Sequence, residues 1–500
     1  MRVIKSLLLS LILVTGVFSV EAEKLVILHS NDTHSQIDPN DKNQGGVLRR
    51  KAVIDSVRGA NENVLLVDAG DAVQGTLFFY LYKGEVEYSL LEKLGYDVAI
   101  LGNHDFDNGS EMLAEKLKDS KINWLSTNYE LRGGPLDGIF MPYVIKEYGG
   151  KKIALMGLEV RPEGLISNGN YNGVEYIDAV KAANATAWHL KHNEKVDMVI
   201  ALTHLGYSGK PGPKDVDLAA ESEDVDIIIG GHSHTYLDPA DKSKTVLKNA
   251  VGKDVLVTQA GKQGTRLGEI TIDLDTMTPV FNVIEIDSRL DKNQDADVKA
   301  FIDSYRPGID SLYNLRVARS AVALENNQPA LNNLLSDFVA AQGSKLAGKK
   351  VDMAIMNKGS VRRSLPKGDV TEGVIIDMQP FNNYLEVLEI KGSDLIDAFN
   401  VMSFYRGGDS VSSELDITMD RDTRKCTSIL LNGKPIDPDR IYTVATIDYL
   451  ANGGDNMEPL TRGTKIAHSE NVVNQDLLNY LRTEFKKKKI NPDNNPRMHY

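Results

Sequence analysis

Short apolar runs recur through the first half of the chain, and each stops on polar or charged residues. Residues 25–28 run into His29-Ser30-Asn31-Asp32-Thr33-His34, and residues 64–67 into Asp68-Ala69-Gly70-Asp71. Residues 98–101 run into Gly102-Asn103-His104-Asp105-Phe106-Asp107. Further on, residues 198–202 end in Thr203-His204, and residues 227–229 in Gly230-Gly231-His232-Ser233-His234. Runs of this length bounded by polar residues and glycine read as buried strands. Residues 153–158, 255–257 and 270–272 add further strands. Segments with helical spacing stand between them: one opened by Gly45-Gly46, then 88–94, 110–118 with Ser110 as a candidate cap, and 179–191. The alternation predicts an α/β fold built in layers.

A second set of elements begins near residue 317, with helices at 333–345 and 393–402 and strands at 352–356 and about 385–390. Residues 291–315 are charged and helical in pattern, interrupted at Pro307-Gly308, and read as a connection. A chain of 500 residues exceeds one ordinary core, so two domains are expected: 23–305 and 317–490, with 306–316 as linker. Residues 1–22 carry Arg2 and Lys5, an apolar stretch over 7–20 and a small-residue site at Val20-Glu21-Ala22, which reads as a signal peptide. The expected location is therefore periplasmic or extracellular. No other stretch is apolar and long enough to span a membrane. Cys426 is the single cysteine, so no disulfide forms within the chain. The net charge of -13 argues against a nucleic-acid polymer as partner. The basic run 486–489 reads as a solvated helix end.

The strand ends gather Asp32, His34, Asp71, Asn103, His104, His204, His232 and His234: two carboxylates, an amide and five imidazoles. Such donors suit Zn, Mn, Fe or Co. They are too many for one tetrahedral ion and fit two ions about 3.5–4 Å apart that share a carboxylate. His29, His189 and His192 lack a second group beside them and are expected to be ordinary hydrogen-bonded residues. In the second half, Asn357-Lys358-Gly359-Ser360-Val361-Arg362-Arg363, Gln379-Pro380-Phe381-Asn382 and Tyr449 before Asn452-Gly453-Gly454-Asp455 stand out; alone, each reads as a loop, a turn or a core aromatic.

The order Asp32-x-His34, Gly70-Asp71, Gly102-Asn103-His104-Asp105, Thr203-His204, Gly231-His232-x-His234 resembles the calcineurin-type metallophosphoesterases. Within them it is similar to the exported 5′-nucleotidase family, over residues 23 to about 485. The resemblance implies a four-layer αββα sandwich followed by a separate α/β nucleotidase C-terminal domain, whose rotation opens and closes the site. It implies that Asp32, His34, Asp71 and His234 hold one divalent metal, and Asp71, Asn103, His204 and His232 the other. His234 stands where members often carry Gln or Asn. His104 would pair with Asp107 as a catalytic dyad. Asn357 and Arg362 match the ends of a substrate-binding motif in which Lys358 and Ser360 replace glycines. Phe381 and Tyr449 match two aromatics that sandwich the base, and Asp455 an acid that bonds the ribose. Lys345 falls about where some members carry a phosphate-binding Arg. The implied activity is hydrolysis of nucleoside 5′-monophosphates by a metal-bound hydroxide. The alternatives are 2′,3′-cyclic phosphodiesterase/3′-nucleotidase or UDP-sugar pyrophosphatase activity, and a non-catalytic nucleotide-binding protein.

Overall fold

The computed structural model describes residues 23–499 except 168, 210–211, 293, 406–408 and 421. The signal-peptide reading of residues 1–22 lies outside the described residues. The first half is built on two six-stranded sheets. In one, Lys24–Ser30, Asn63–Asp68 and Val98–Ala99 run parallel, with Arg266–Asp273 antiparallel beside the first of them. In the other, Lys151–Leu158, Met198–Thr203 and Ile227–Gly230 run parallel.

Alternation along each strand sends neighbours to opposite faces. Ile27, Leu65 and Val98 meet Leu155, Ile200 and Ile229 in one buried layer between the sheets. Leu28, Leu66 and Ala99 point outward onto Ile54, Leu91 and Leu113. On the far side, Ala154, Val199 and Ile228 pack on Val180, Ala183 and Leu218. The result is the four-layer αββα sandwich. Strands buried on both faces are apolar throughout, which is why they show as unbroken runs.

The second half holds a five-stranded sheet in the order Ser410–Val411, Met353–Met356, Ile441–Ile447, Tyr384–Lys391, Thr464–Val472. Helix Pro329–Ala347 lies against it, and Gly343 permits the approach: a Cβ there would stand 2.3 Å from that of Ala445. A four-stranded sheet carries the hairpin Leu415–Asp420 and Lys425–Leu431. Among the described residues, no helix is long and apolar enough to cross a membrane.

Three local expectations are corrected. Helix Ala296–Asn314 runs unbroken through Pro307. An interior proline costs about 3 kcal/mol. Burial of Val298, Ile302 and Ile309 on the first-half core offsets this, at about 1.5–3 kcal/mol per fully buried side chain. Ser110 does not cap its helix; Gly109 is the N-cap and the Ser110 hydroxyl donates to the Asn170 carbonyl at 3.1 Å.

The buried ring nitrogens of His29 make no hydrogen bond. It pairs across the sheet with Gly268, where a Cβ would stand 1.9 Å from its Nε2, so the ring fills that space and stacks near Phe281 as an apolar group would. Burial depresses its pKa to about 3. The folded protein therefore keeps His29 neutral while the unfolded chain takes up a proton below its ordinary value near 6.5, so stability falls as pH drops. Between pH 6.5 and 5, His29→Leu is expected to lose about 2 kcal/mol less stability than the unmodified chain in urea titrations. Equal losses would contradict this account of the ring.

Candidate active site

All six parallel strands named above end on the same rim, where the two sheets meet. From there Asp32 and His34, Asp71, and Asn103 and His104 descend from one sheet, His204, His232 and His234 from the other. The loops are laced together: the Asp32 N–H donates to the Gly70 carbonyl at 2.9 Å and that of His34 to the Asp71 carbonyl at 3.0 Å. Asp32, His34, Asp71, His232 and His234 all adopt positive φ, between 48° and 73°. Left-handed backbone at a non-glycine residue costs about 1–2 kcal/mol, so the fold holds these five side chains inward at the expense of local strain.

Two carboxylates are buried side by side. Asp71 Oδ2 lies 3.2 Å from His204 Nε2 and 3.9 Å from His34 Nε2, between the two histidines. Asp32 Oδ1 lies 3.4 Å from His234 Nε2 and 4.0 Å from both His34 and His204 Nε2. His34 Nε2 and His234 Nε2 approach to 2.9 Å, and His232 Nδ1 to within 2.9 Å of Asn103 Oδ1. Burial holds the imidazoles of His34 and His232 well below their usual range and that of His234 down to about 3, so they are neutral. Burial raises Asp32 to about 7, whereas for Asp71 the imidazoles of His204 and His104 outweigh burial and keep it well below the usual carboxylate range. His204 is held up at about 10 by Asp71 against the opposing effect of burial.

Neutral imidazoles converging on carboxylates, with the buried His204 Nε2 lacking hydrogen-bond geometry to any partner, form a donor set suited to divalent ions. Asp32, His34 and His234 converge as one group, and Asp32, Asp71 and His204 as another. Glycines make the room. A Cβ on Gly102 would stand 2.1 Å from Asp71 Oδ1, and one on Gly231 2.8 Å from His204 Nδ1. Asp105 anchors the turn behind, its Oδ2 accepting from Gly102 N at 2.7 Å and Asp71 N at 3.1 Å.

His104 stands beside the donor set. Its Nδ1 lies 3.1 Å from Asp107 Oδ2, and its backbone N–H donates to Asp71 Oδ1 at 2.9 Å. Burial opposes its charge, but Asp107 and Asp71 raise its pKa above the usual value. Arg362, from the second half, brings Nη2 to 3.2 Å from His104 Nε2 and lies over the Phe381 ring at 5.0 Å. With the ring protonated, two donors face one another, an arrangement that a bound oxyanion relieves. Asn357 Nδ2 donates to Asp455 Oδ2 at 2.6 Å, and the Tyr449 hydroxyl to Asp455 Oδ1 at 2.9 Å. Asp71, Asn103, His104, Asp107, Asn357, Arg362, Phe381, Tyr449 and Asp455 line one cavity of about 350 Å³. Lys345 is exposed on the last turn of Pro329–Ala347 and does not line it, because that helix buries its opposite face on the sheet. Leu165, Ser167 and Asn383 also line this cavity and carry no local sequence signal.

Residues 25–236 match the calcineurin-like phosphoesterase family model, and residues 312–462 the 5′-nucleotidase C-terminal domain model. The 5′-nucleotidase of Mus musculus is 30% identical over 497 residues, covering 88% of this chain and 84% of that protein. The chain belongs to the 5′-nucleotidase family. A 5′-nucleotidase of Vibrio cholerae is 28% identical, covering 92% of this chain and 90% of that one. The chain spans 33% of the length of a trifunctional nucleotide phosphoesterase of Bacillus subtilis, at 26% identity. The crystal structure of a 5′-nucleotidase precursor from Thermus thermophilus superposes with a TM-score of 0.83 at 28% identity, covering 95% of this chain and 99% of that one. Membership makes the chain a hydrolase of phosphoric esters that uses divalent metal ions.

Gly102→Ala is expected to displace the Asp71 carboxylate and lower bound metal, measured by elemental analysis of protein with a native near-ultraviolet spectrum. Full metal content in that variant would contradict the geometry described.

Proposed function

We propose that the chain hydrolyses nucleoside 5′-monophosphates to nucleoside and phosphate at two divalent metal ions. The observation that carries this reading is that the strand-end donor set and the aromatic pair Phe381 and Tyr449 open onto one cavity. In this reading Asp32, His34, Asp71 and His234 hold one ion, and Asp71, Asn103, His204 and His232 the other. The position of Asp71 Oδ2 between His34 and His204 supports its role as the shared ligand. The ions, when bound, polarise the phosphoryl group and lower the pKa of the attacking water. The donor types suit Zn, Mn, Fe or Co.

Asp107 orients His104 and favours its charged form, so the ring donates from Nε2 toward the phosphoryl oxygens as negative charge develops. Arg362, whose Nη2 stands 3.2 Å from His104 Nε2, neutralises the same group beside it. Phe381 and Tyr449 stack the base, a contact tolerant of base identity. Asp455, held by Asn357 and Tyr449, accepts from the ribose hydroxyls. Residues 23–305 and 317–490 act as two domains joined by 306–316, with the site where they meet. Residues 1–22 direct export to the periplasm or cell exterior, on the strength of their basic start and apolar run.

The test is phosphate release from a panel of nucleotides by metal-loaded protein. Turnover of 5′-monophosphates is expected, and His104→Ala is expected to lower kcat by about 10²–10⁴-fold with metal content unchanged. No release from any nucleotide, or wild-type turnover by His104→Ala, would contradict the reading.

A further inference from the structure

A second cavity, of about 540 Å³, opens beside the first, with Leu165, His232, His234, Gly359 and Arg362 lining both. Its chemistry is different. Lys214, Lys262, Lys358, Arg362 and Arg363 line it, and none of the described lining residues is Asp or Glu, in a chain of net charge -13. Arg363 is paired with Asp41 at 3.0 Å and Lys214 Nζ donates to the Leu205 carbonyl at 2.8 Å, so the charge facing the chamber is that of Lys262, Lys358 and Arg362. Two donors in its wall are buried without a partner: Gln74 Nε2 and Arg362 Nε. Gln74 is 1% exposed, and its Oε1 accepts from Arg362 Nη2 at 3.4 Å, which turns the amide N–H away from the guanidinium. Its backbone is held at φ 70°, in the left-handed region. Partial desolvation and the positive charges of Arg362 and Lys358 depress the Lys262 ammonium, with Asp32 acting the other way. Cations drawn together beside unpaired buried donors are unfavourable unless an anion bridges them.

We propose that this chamber is a second oxyanion subsite, which takes a phosphate group other than the one reacting at the metal centre, with Gln74, Lys262 and Lys358 as its donors and Arg362 shared between the two groups. The identification of the anion as phosphate rests on the proposed function. The phosphate comes either as free inorganic phosphate or as a second phosphate group attached to a nucleotide. Lys262 and Lys358 are exposed, so their substitution leaves the fold intact.

The experiment is calorimetric titration of the metal-loaded protein with inorganic phosphate, before and after the double substitution Lys262→Ala with Lys358→Ala. Two phosphates per chain are expected in the unmodified protein, with the second weakened about tenfold or more in the variant. A single phosphate in the unmodified protein overturns the proposal, as does a second phosphate that the variant binds equally well. Steady-state kinetics on a nucleoside 5′-monophosphate and its 5′-diphosphate separate the two sources. An attached second phosphate predicts a loss of about tenfold in kcat/KM on the diphosphate alone. Free phosphate predicts no change on either substrate beside the weakened titration. An equal fall on both substrates indicates general attraction of anions and overturns the subsite. If no nucleotide is hydrolysed, the functional reading fails while the titration still decides the subsite.

Discussion

Two carboxylates buried side by side set the terms for the rest of this structure. Asp32 and Asp71 are 0% and 1% exposed, a placement that is costly for charged groups unless opposite charges and hydrogen bonds surround them. The fold supplies both. Backbone N–H groups of His104 and His232 donate to them, and the imidazoles of His34, His204 and His234 converge on them. His34 and His234 are neutral and His204 is charged, so one imidazolium faces two carboxylates, a balance that divalent cations would complete. Gly102 and Gly231, the inward-turned backbone of five ligand-type residues and the anchoring by Asp105 all serve to hold this arrangement.

The sandwich provides the geometry because parallel strands bring their carboxyl ends to one rim. Each sheet alone offers part of the donor set; packing the sheets on Ile27, Leu65, Leu155 and Ile200 brings the parts together. The second half then closes over the rim. Arg362 reaches His104, and the Asp377 carboxylate accepts from Leu77 N at 3.2 Å, so the candidate site and the backbone of the first half are tied to the same segment of the second half.

Much of this was legible in the sequence, for a physical reason. Strands buried on both faces leave continuous apolar runs, and the polar residues gathered at the rim follow them within a few residues, so the convergence of Asp71 and His204 was legible by position alone. The second half was less legible because Lys425–Leu431 and Thr464–Val472 are largely exposed or half-buried and leave no continuous apolar run. The hairpin Leu415–Asp420 and Lys425–Leu431 was missed, although residues 415–419 alternate between buried and exposed. Pro307 misled because the core on which its helix buries Val298, Ile302 and Ile309 lies on another part of the chain. Lys345 misled because a charge in the right neighbourhood of the sequence faces away from the cavity. Gln74 left no signal: its importance comes from burial, an unpaired amide and a guanidinium 288 positions away. Phe381, Tyr449 and Asp455 acquired meaning only from the family resemblance, and their shared cavity gives that meaning a geometry.

The sharing of Asp71 is the centre of this account, and the geometry also offers Asp32 to both ligand groups. Anomalous diffraction from crystals of the metal-loaded protein decides between them. Two peaks are expected, one on each side of the Asp71 carboxylate, with His34 and His234 beside one and His204, His232 and Asn103 beside the other. A single peak, or two peaks bridged by Asp32 with Asp71 bound to only one, would contradict it.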